Sequence, residues 1–260
     1  MTLSIRGSCA AVGLLVLCGA RAVAGPHAGG IVLAHLNPAI EYTSSVSSYQ
    51  GMSGLEECKK AIVEGRVDAE RAQVWFVLAS FENSRGPVNL GGAGFGFGDY
   101  DGSRLQFSGF GPCNDGFLEL PSNGWPGPRE GTALVFQDPR RRDVEELYWF
   151  ASYAYGIVTV PLAPAPHFPS SQFASRDTPP VEDEAEDFGS IGFGTPGYNP
   201  CGQVSARGAC CLFSRCAQMT RDECEGRGGR YLGDNTACFP DPCAEEQIQT
   251  TWGTLKKIYE

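Results

Sequence analysis

Between Gly30 and Gly194 apolar and polar positions mostly alternate, and aromatic or β-branched residues fill the apolar ones. A period of two places successive side chains on opposite faces of a strand. The pattern predicts strands at Ile31–His35, Ile40–Ser44, Val74–Phe81, Leu90–Phe97, Leu105–Phe110, Phe117–Leu120, Thr132–Phe136, Leu147–Tyr153 and Ile157–Leu162. Turn-forming residues separate them at Ser84-Arg85-Gly86-Pro87, Asp101-Gly102, Pro112, Ser122-Asn123-Gly124 and Asp138-Pro139. Phe188–Gly194 reads as a last strand. In Gly94-Phe95-Gly96-Phe97-Gly98 one strand face carries two rings and the other is bare, open to close approach by another chain segment or a ligand. Many short strands with such turns imply packed antiparallel sheets or a barrel; the expectation adopted is mainly β, an antiparallel β-sandwich.

One helix interrupts the pattern. Ser53 and Glu56 have capping-box spacing, which predicts a helix from Leu55 to Val63 carrying Cys58. Residues Ala163–Asp187 are Pro-rich and then acidic, and read as a long loop, the acidic run Val181–Asp187 being solvated. The expected organisation is a signal peptide at 1–24, a β-sandwich domain at 25–200, a cysteine-rich module at 201–244, and a short, helical tail at 245–260. The tail would carry Trp252, Leu255 and Tyr259 on one face beside Lys256 and Lys257, either docking on the domain or serving as a sorting or partner tag.

Cys210, Cys211, Cys216, Cys224, Cys238 and Cys243 crowd the region before that tail. So short a segment cannot bury enough apolar area to offset chain entropy, so staples must hold it. Three disulfides at about 2–4 kcal/mol each are sufficient. Adjacent Cys210 and Cys211 point to opposite sides of an extended chain and should take different partners. Thr220 and Glu223 form a second capping box, starting a helical turn that carries Cys224; Gly228-Gly229 ends it, and Arg230-Tyr231-Leu232 follows as a short strand. Of the 11 cysteines, Cys9 and Cys18 lie in the leader, which leaves an odd number. Cys58 with Cys113 is the expected pair of the sandwich, and Cys201 the odd thiol. A zinc reading rests on the separations of Cys211 from Cys216 and Cys238 from Cys243, but the module contains no histidine and an exported chain favours disulfides.

Gly208-Ala209-Cys210-Cys211, Thr220-Arg221-Asp222-Glu223-Cys224, Gly228-Gly229-Arg230-Tyr231-Leu232-Gly233 and Thr236-Ala237-Cys238-Phe239-Pro240-Asp241-Pro242-Cys243 resemble a short GACC-type cysteine-rich repeat of secreted bacterial proteins. Those proteins join a β-rich domain to this repeat and a Trp-Gly-containing C-terminal tail, here Trp252-Gly253. The resemblance implies an exported chain and carries no activity. The repeats have a Pro-Asp-Gly type of turn before the third cysteine, where this chain has the shorter Leu212-Phe213-Ser214-Arg215.

The N-terminus points to the same compartment. Arg6 precedes the apolar run Ala10–Ala20, and Ala22-Val23-Ala24 supplies the small residues of a signal-peptidase site, with a cut after Ala24 and a second choice after Ala20. The run is shorter than the roughly 20 residues needed to span a bilayer. Cys18 invites a lipoprotein reading, but Leu17 stands where a small residue is wanted. Disulfides place the chain outside the cytosol: secreted, at the outer cell surface, or periplasmic. A formal charge of −10 argues against nucleic-acid partners.

Candidate chemistry is sparse. His27, His35 and His167 form no metal motif, and neither a nucleophile elbow nor a phosphate loop occurs. Glu119, Glu145 and Glu146 are the carboxylates that would pair in a glycosidase. Asp99-Tyr100-Asp101-Gly102-Ser103 hints at calcium, with its glycine too early for an EF-hand. Trp125, in a loop between Gly124 and Pro126, reads first as a lid on the core and second as an aromatic that could meet a ligand. The resulting reading is a non-catalytic binding or structural module for an extracellular protein or carbohydrate, with no cofactor. The alternatives are a carbohydrate-active hydrolase using paired carboxylates and a calcium-stabilised adhesive domain.

Overall fold

The computed structural model describes residues 25–84, 86–113, 118–201, 207–213, 215–233, 236, 238, 242 and 243; the expected signal peptide and tail lie outside them. In chain order the strands are β1 (Ile31–Glu41), β2 (Glu64–Gly65), β3 (Asp68–Ser80), β4 (Leu90–Phe97), β5 (Leu105–Pro112), β6 (Leu118–Pro121), β7 (Gly131–Arg140), β8 (Val144–Ala154), β9 (Val158–Ala163), β10 (Phe173–Ser175), β11 (Glu182–Asp183), β12 (Ser190–Phe193), β13 (Arg207–Leu212), β14 (Arg215–Thr220) and β15 (Arg230–Tyr231). One α-helix, α1 (Arg221–Gly226), joins them.

The first sheet has the order β1-β3-β8-β5 and the second β11-β10-β4-β9-β12-β2, with β7 and then β6 added beside β4. Their pairings are antiparallel except β12 with β2. Rings from both sheets meet between them: Trp75 stacks on Phe150 with centroids 4.5 Å apart, and Phe97 lies 5.3 Å from Phe150. Each such buried side chain contributes about 1.5–3 kcal/mol.

Strand β3 explains why its sequence is a continuous apolar run. Trp75, Val77 and Ala79 belong to the core between the sheets, while Val74, Phe76 and Leu78 pack on the opposite face with Tyr49, Leu55 and Cys58. The segment between β1 and β2 therefore covers the outer face of the first sheet as a third layer, and β3 is buried on both sides.

That cover is where the predicted helix fails. Residues Leu55–Val63 contain a single 3-10 turn, Cys58–Lys60. The backbone donors a helix would use are taken by tertiary partners. Glu146 accepts from Gly51 N–H (2.5 Å) and Ser53 N–H (2.8 Å), Glu82 accepts from Cys58 N–H, and His35 Nδ1 accepts from Ile62 N–H. With Nδ1 accepting, His35 Nε2 donates to the Ser53 carbonyl at 3.2 Å. Burial lowers the His35 pKa against the opposing effects of that bond and of Glu146.

The bare side of the Gly94–Gly98 run is occupied by the protein's own chain. A Cβ at Gly96 would sit 2.6 Å from the Glu130 carbonyl, and Phe95 and Phe97 point into the core. In the acidic stretch Glu182, Glu184 and Glu186 are exposed as expected, but the segment is not a plain loop: β10 and β11 lie within 163–187, and Asp183 is buried. Its carboxylate accepts from the N–H groups of Gly25 and His27, which draws the run inward.

The expected pairing of the sandwich cysteines is corrected. Cys58 bonds to Cys201, and Cys113 is the buried free thiol. Strand order decides this. Cys113 follows β5, at one edge of the first sheet. Cys201 arrives on the chain after Phe188 and Gly189, which run beside Val32 on β1 at the other edge.

β13, β14 and β15 form a three-stranded antiparallel sheet in the order β14-β13-β15, with α1 against it. Its disulfides are Cys210–Cys224, Cys211–Cys243 and Cys216–Cys238. Thr220 and Glu223 form the reciprocal capping box that starts α1. Cys211 and Cys216 face each other across the β13–β14 ladder yet bond elsewhere. The short turn is made with Phe213 at φ 56°, and its ring is 98% exposed.

Candidate functional site

Two interruptions of register lie side by side at one end of the first sheet. Between β1 and β3 the ladder passes from Leu36 opposite Trp75 to Glu41 opposite Gln73, so Asn37–Ile40 swing out. Between β3 and β8 it passes from Gln73 opposite Ser152 to Asp68 opposite Ala154, so Ala69–Ala72 swing out over Tyr153. The two bulges wall a cleft of roughly 600 Å³, with Tyr42, Ile62 and Tyr153 also in its lining. This lies within the usual 300–1,000 Å³ of ligand sites.

Each bulge is built by an Asx side chain bonding its own backbone ahead. Asn37 Oδ1 accepts from Ala39 N–H at 3.0 Å, and its amide donates to the carbonyls of Met52 and Ser53. Asp68 Oδ1 accepts from Glu70 N–H (2.9 Å) and Arg71 N–H (2.8 Å), which holds its carboxyl below the usual range. Gln73 ties the floor by accepting from Arg66 N–H and donating to the Arg66 carbonyl, both at 2.8 Å. Tyr42 is fixed by its hydroxyl donating to Ser108 O.

What remains free faces the cleft. Among the described residues the carboxylates of Glu41, Glu64 and Glu70 and the guanidinium of Arg71 form no side-chain hydrogen bond or close ion pair, while Arg66 reaches Asp68 at 3.4 Å and the Arg71 charge also acts on that carboxylate. Tyr153 is half-buried and stacks at 6.5 Å on the exposed Tyr155. The cleft thus offers acceptors, donors and an aromatic surface on a backbone that is already fixed. No cleft residue had been singled out from the sequence. The available signals were an Asn-Pro pair at Asn37-Pro38 and an aspartate opening a strand at Asp68.

The residues that were singled out lie elsewhere. Trp125 is half-buried against the core, stacked 4.9 Å from Phe97, and donates through Nε1 to the Tyr148 hydroxyl. Glu119 accepts from Tyr148 OH (2.9 Å) and Thr132 Oγ1 (3.0 Å). Burial, foremost, and Glu119 raise the Tyr148 pKa, so Tyr148 stays protonated and donates. Glu145 caps a turn by accepting from Arg141 and Arg142 N–H, and Glu146 holds the cover. None of the three lines the cleft. Asp101 accepts from Ser103 and Arg104, the bonds that hold its pKa down, and closes a 3-10 turn. Among the described residues no cluster of three metal-ligating side chains occurs.

No family model matches this chain. No curated protein matches it either. Among solved structures it is similar to the cohesin module of a family 33 glycoside hydrolase from Clostridium perfringens, at 10% identity over 64% of this chain and 96% of that one, with a TM-score of 0.39. It is also similar to a chain of a CaDoc0917–CaCohA2 complex, at 14% identity over 51% of this chain and 94% of that one, with a TM-score of 0.35.

Proposed function

We propose that this chain is an exported, non-catalytic binding module whose two-bulge cleft takes a neutral, polyhydroxylated ligand, an oligosaccharide. The observation that carries the reading is the cleft itself: free carboxylates and a free guanidinium flank an aromatic ring on bulges locked by Asn37 and Asp68. A strongly charged ligand would meet like charge on one wall or the other. Sugar hydroxyls donate to carboxylates and accept from guanidinium, and the apolar face of a pyranose packs on a tyrosine ring. Export is supported by four disulfides among the described residues. No helix of the described residues is long and apolar enough to cross a membrane.

Titration of the isotopically labelled protein with cello- and chito-oligosaccharides tests it. Saturable shifts at Tyr153 and Arg71 are expected, with affinity falling about tenfold in Arg71→Ala and in Tyr153→Ala, each the loss of one good contact. Silence of the cleft signals across both series sinks the carbohydrate reading. Release of reducing ends would replace it with the hydrolase alternative, using the cleft glutamates.

A further inference from the structure

Asp183 is a buried carboxylate without a cation. Oδ1 accepts from Gly25 N–H at 2.8 Å and Oδ2 from His27 N–H at 2.9 Å. Among the described residues no lysine or arginine stands within ion-pair distance. His27 Nδ1 is 3.9 Å from Oδ2, and burial holds that imidazole below its ordinary pKa, so it is neutral at pH 7. Burying an unpaired carboxylate is expensive, and native chains supply a counter-charge.

The carboxylate closes around the backbone of Gly25. A Cβ at that position would overlap both Asp183 oxygens and the Val181 side chain, so a larger residue there would have to displace the carboxylate from its place. Gly25 itself is buried, and it follows Ala22-Val23-Ala24 directly. The nitrogen that Asp183 grips is therefore the one that cutting after Ala24 would set free.

We infer that the Gly25 nitrogen is the processed N-terminus, and that its α-ammonium is the missing partner of Asp183, so that removal of the leader completes a buried ion pair. This rests on the export reading. In the cut, water adds across the Ala24–Gly25 amide. Its hydroxyl goes to the Ala24 carbonyl carbon as the carbon–nitrogen bond breaks, the Gly25 nitrogen takes a proton, and at neutral pH it binds one more from solvent. What the cut changes is charge: a chain cut after Ala20 would carry Arg21–Ala24 ahead of Gly25 and offer Asp183 an amide N–H there, as the uncut chain does, in place of an ammonium.

Two measurements separate the parts. Intact-mass analysis of the exported protein is expected to give a chain starting at Gly25; a start at Arg21 overturns the processing assignment while leaving the ion pair open to the second test. For that, chains starting at Gly25 or at Ala24 are released by a site-specific protease, each with Asp183 or Asp183→Asn. In the Gly25 chain Asp183→Asn is expected to lower the melting temperature by about 5 °C or more, and in the Ala24 chain by much less. Equal losses in both overturn the ion pair. Should Asp183→Asn not fold, amine labelling of the unaltered Gly25 chain decides. An α-amine protected in the native state and labelled after unfolding supports the pair; one labelled as fast as Lys59 and Lys60 overturns it.

Discussion

In the sandwich, Trp75, Phe97 and Phe150 are buried among rings from both sheets, and a further apolar layer covers the outer face of β3. Among the described residues of the cysteine-rich region the buried apolar cluster is Cys210, Met219 and Cys224, with Leu212, Ala217 and Tyr231 packed against it and only partly covered. Two of those three buried residues are themselves the two halves of one disulfide. The sandwich can lose a covalent bond and keep its reason to fold, because area removed from water holds it. The smaller sheet has no such reserve, and its stability resides in the restriction that three cross-links place on the unfolded chain.

The sharpest way to break this comparison is reduction. In excess reductant, amide protection of β13–β15 and α1 is expected to vanish while β3 and β8 stay protected, read by hydrogen exchange. Loss of both together would mean that Cys58–Cys201 holds the sandwich as the other bonds hold the small sheet. The converse change is Trp75→Ala, which empties the centre of the sandwich and should destabilise it by about 3–5 kcal/mol in denaturant unfolding. Tyr231 and Leu212 should report no change.

A smaller effect separates the two regions by pH. His27 and His35 are both in the sandwich, and burial lowers both below the ordinary 6.5. A lowered folded pKa contributes stability that is complete above the unfolded value and is lost as pH falls through the folded one. The sandwich melting temperature should therefore decline below about pH 6.5. His35→Gln, able to accept from Ile62 and donate to Ser53, should flatten that decline. The smallest expected effect is in the other region: Phe213→Gly removes a left-handed strain without losing contacts, and should stabilise the small sheet by about 0.5–1 kcal/mol in its own unfolding transition.

The same contrast sets what could be read from the sequence. Two capping boxes were visible, and only one forms. Thr220 and Glu223 each accept from the other's backbone N–H, whereas the donors near Ser53 are taken by Glu146 and Glu82 from distant parts of the chain. Strand β4 was legible end to end, Leu90–Phe97, because its alternation of phenylalanine and glycine reflects two different faces. Cys201 was misassigned because its partner depends on strand order, which no local pattern carries. Asp183 was hidden in an acidic run, and only the fold brings Gly25 and His27 to it. The cleft escaped for a related reason. Asn37 and Asp68 are ordinary turn residues, and their meaning appears once two neighbouring ladders are seen to slip at the same height.

Those two slips leave the chain with a changeable surface. Each ladder resumes its pairing on both sides of the bulge, so the tips Pro38–Ile40 and Ala69–Arg71 carry no register information. Altering or lengthening a tip changes what the cleft can grip while every inward ring keeps its neighbour. Selection, or an engineer, can therefore vary recognition there independently of folding, as long as Asn37 and Asp68 are kept as the hinge posts.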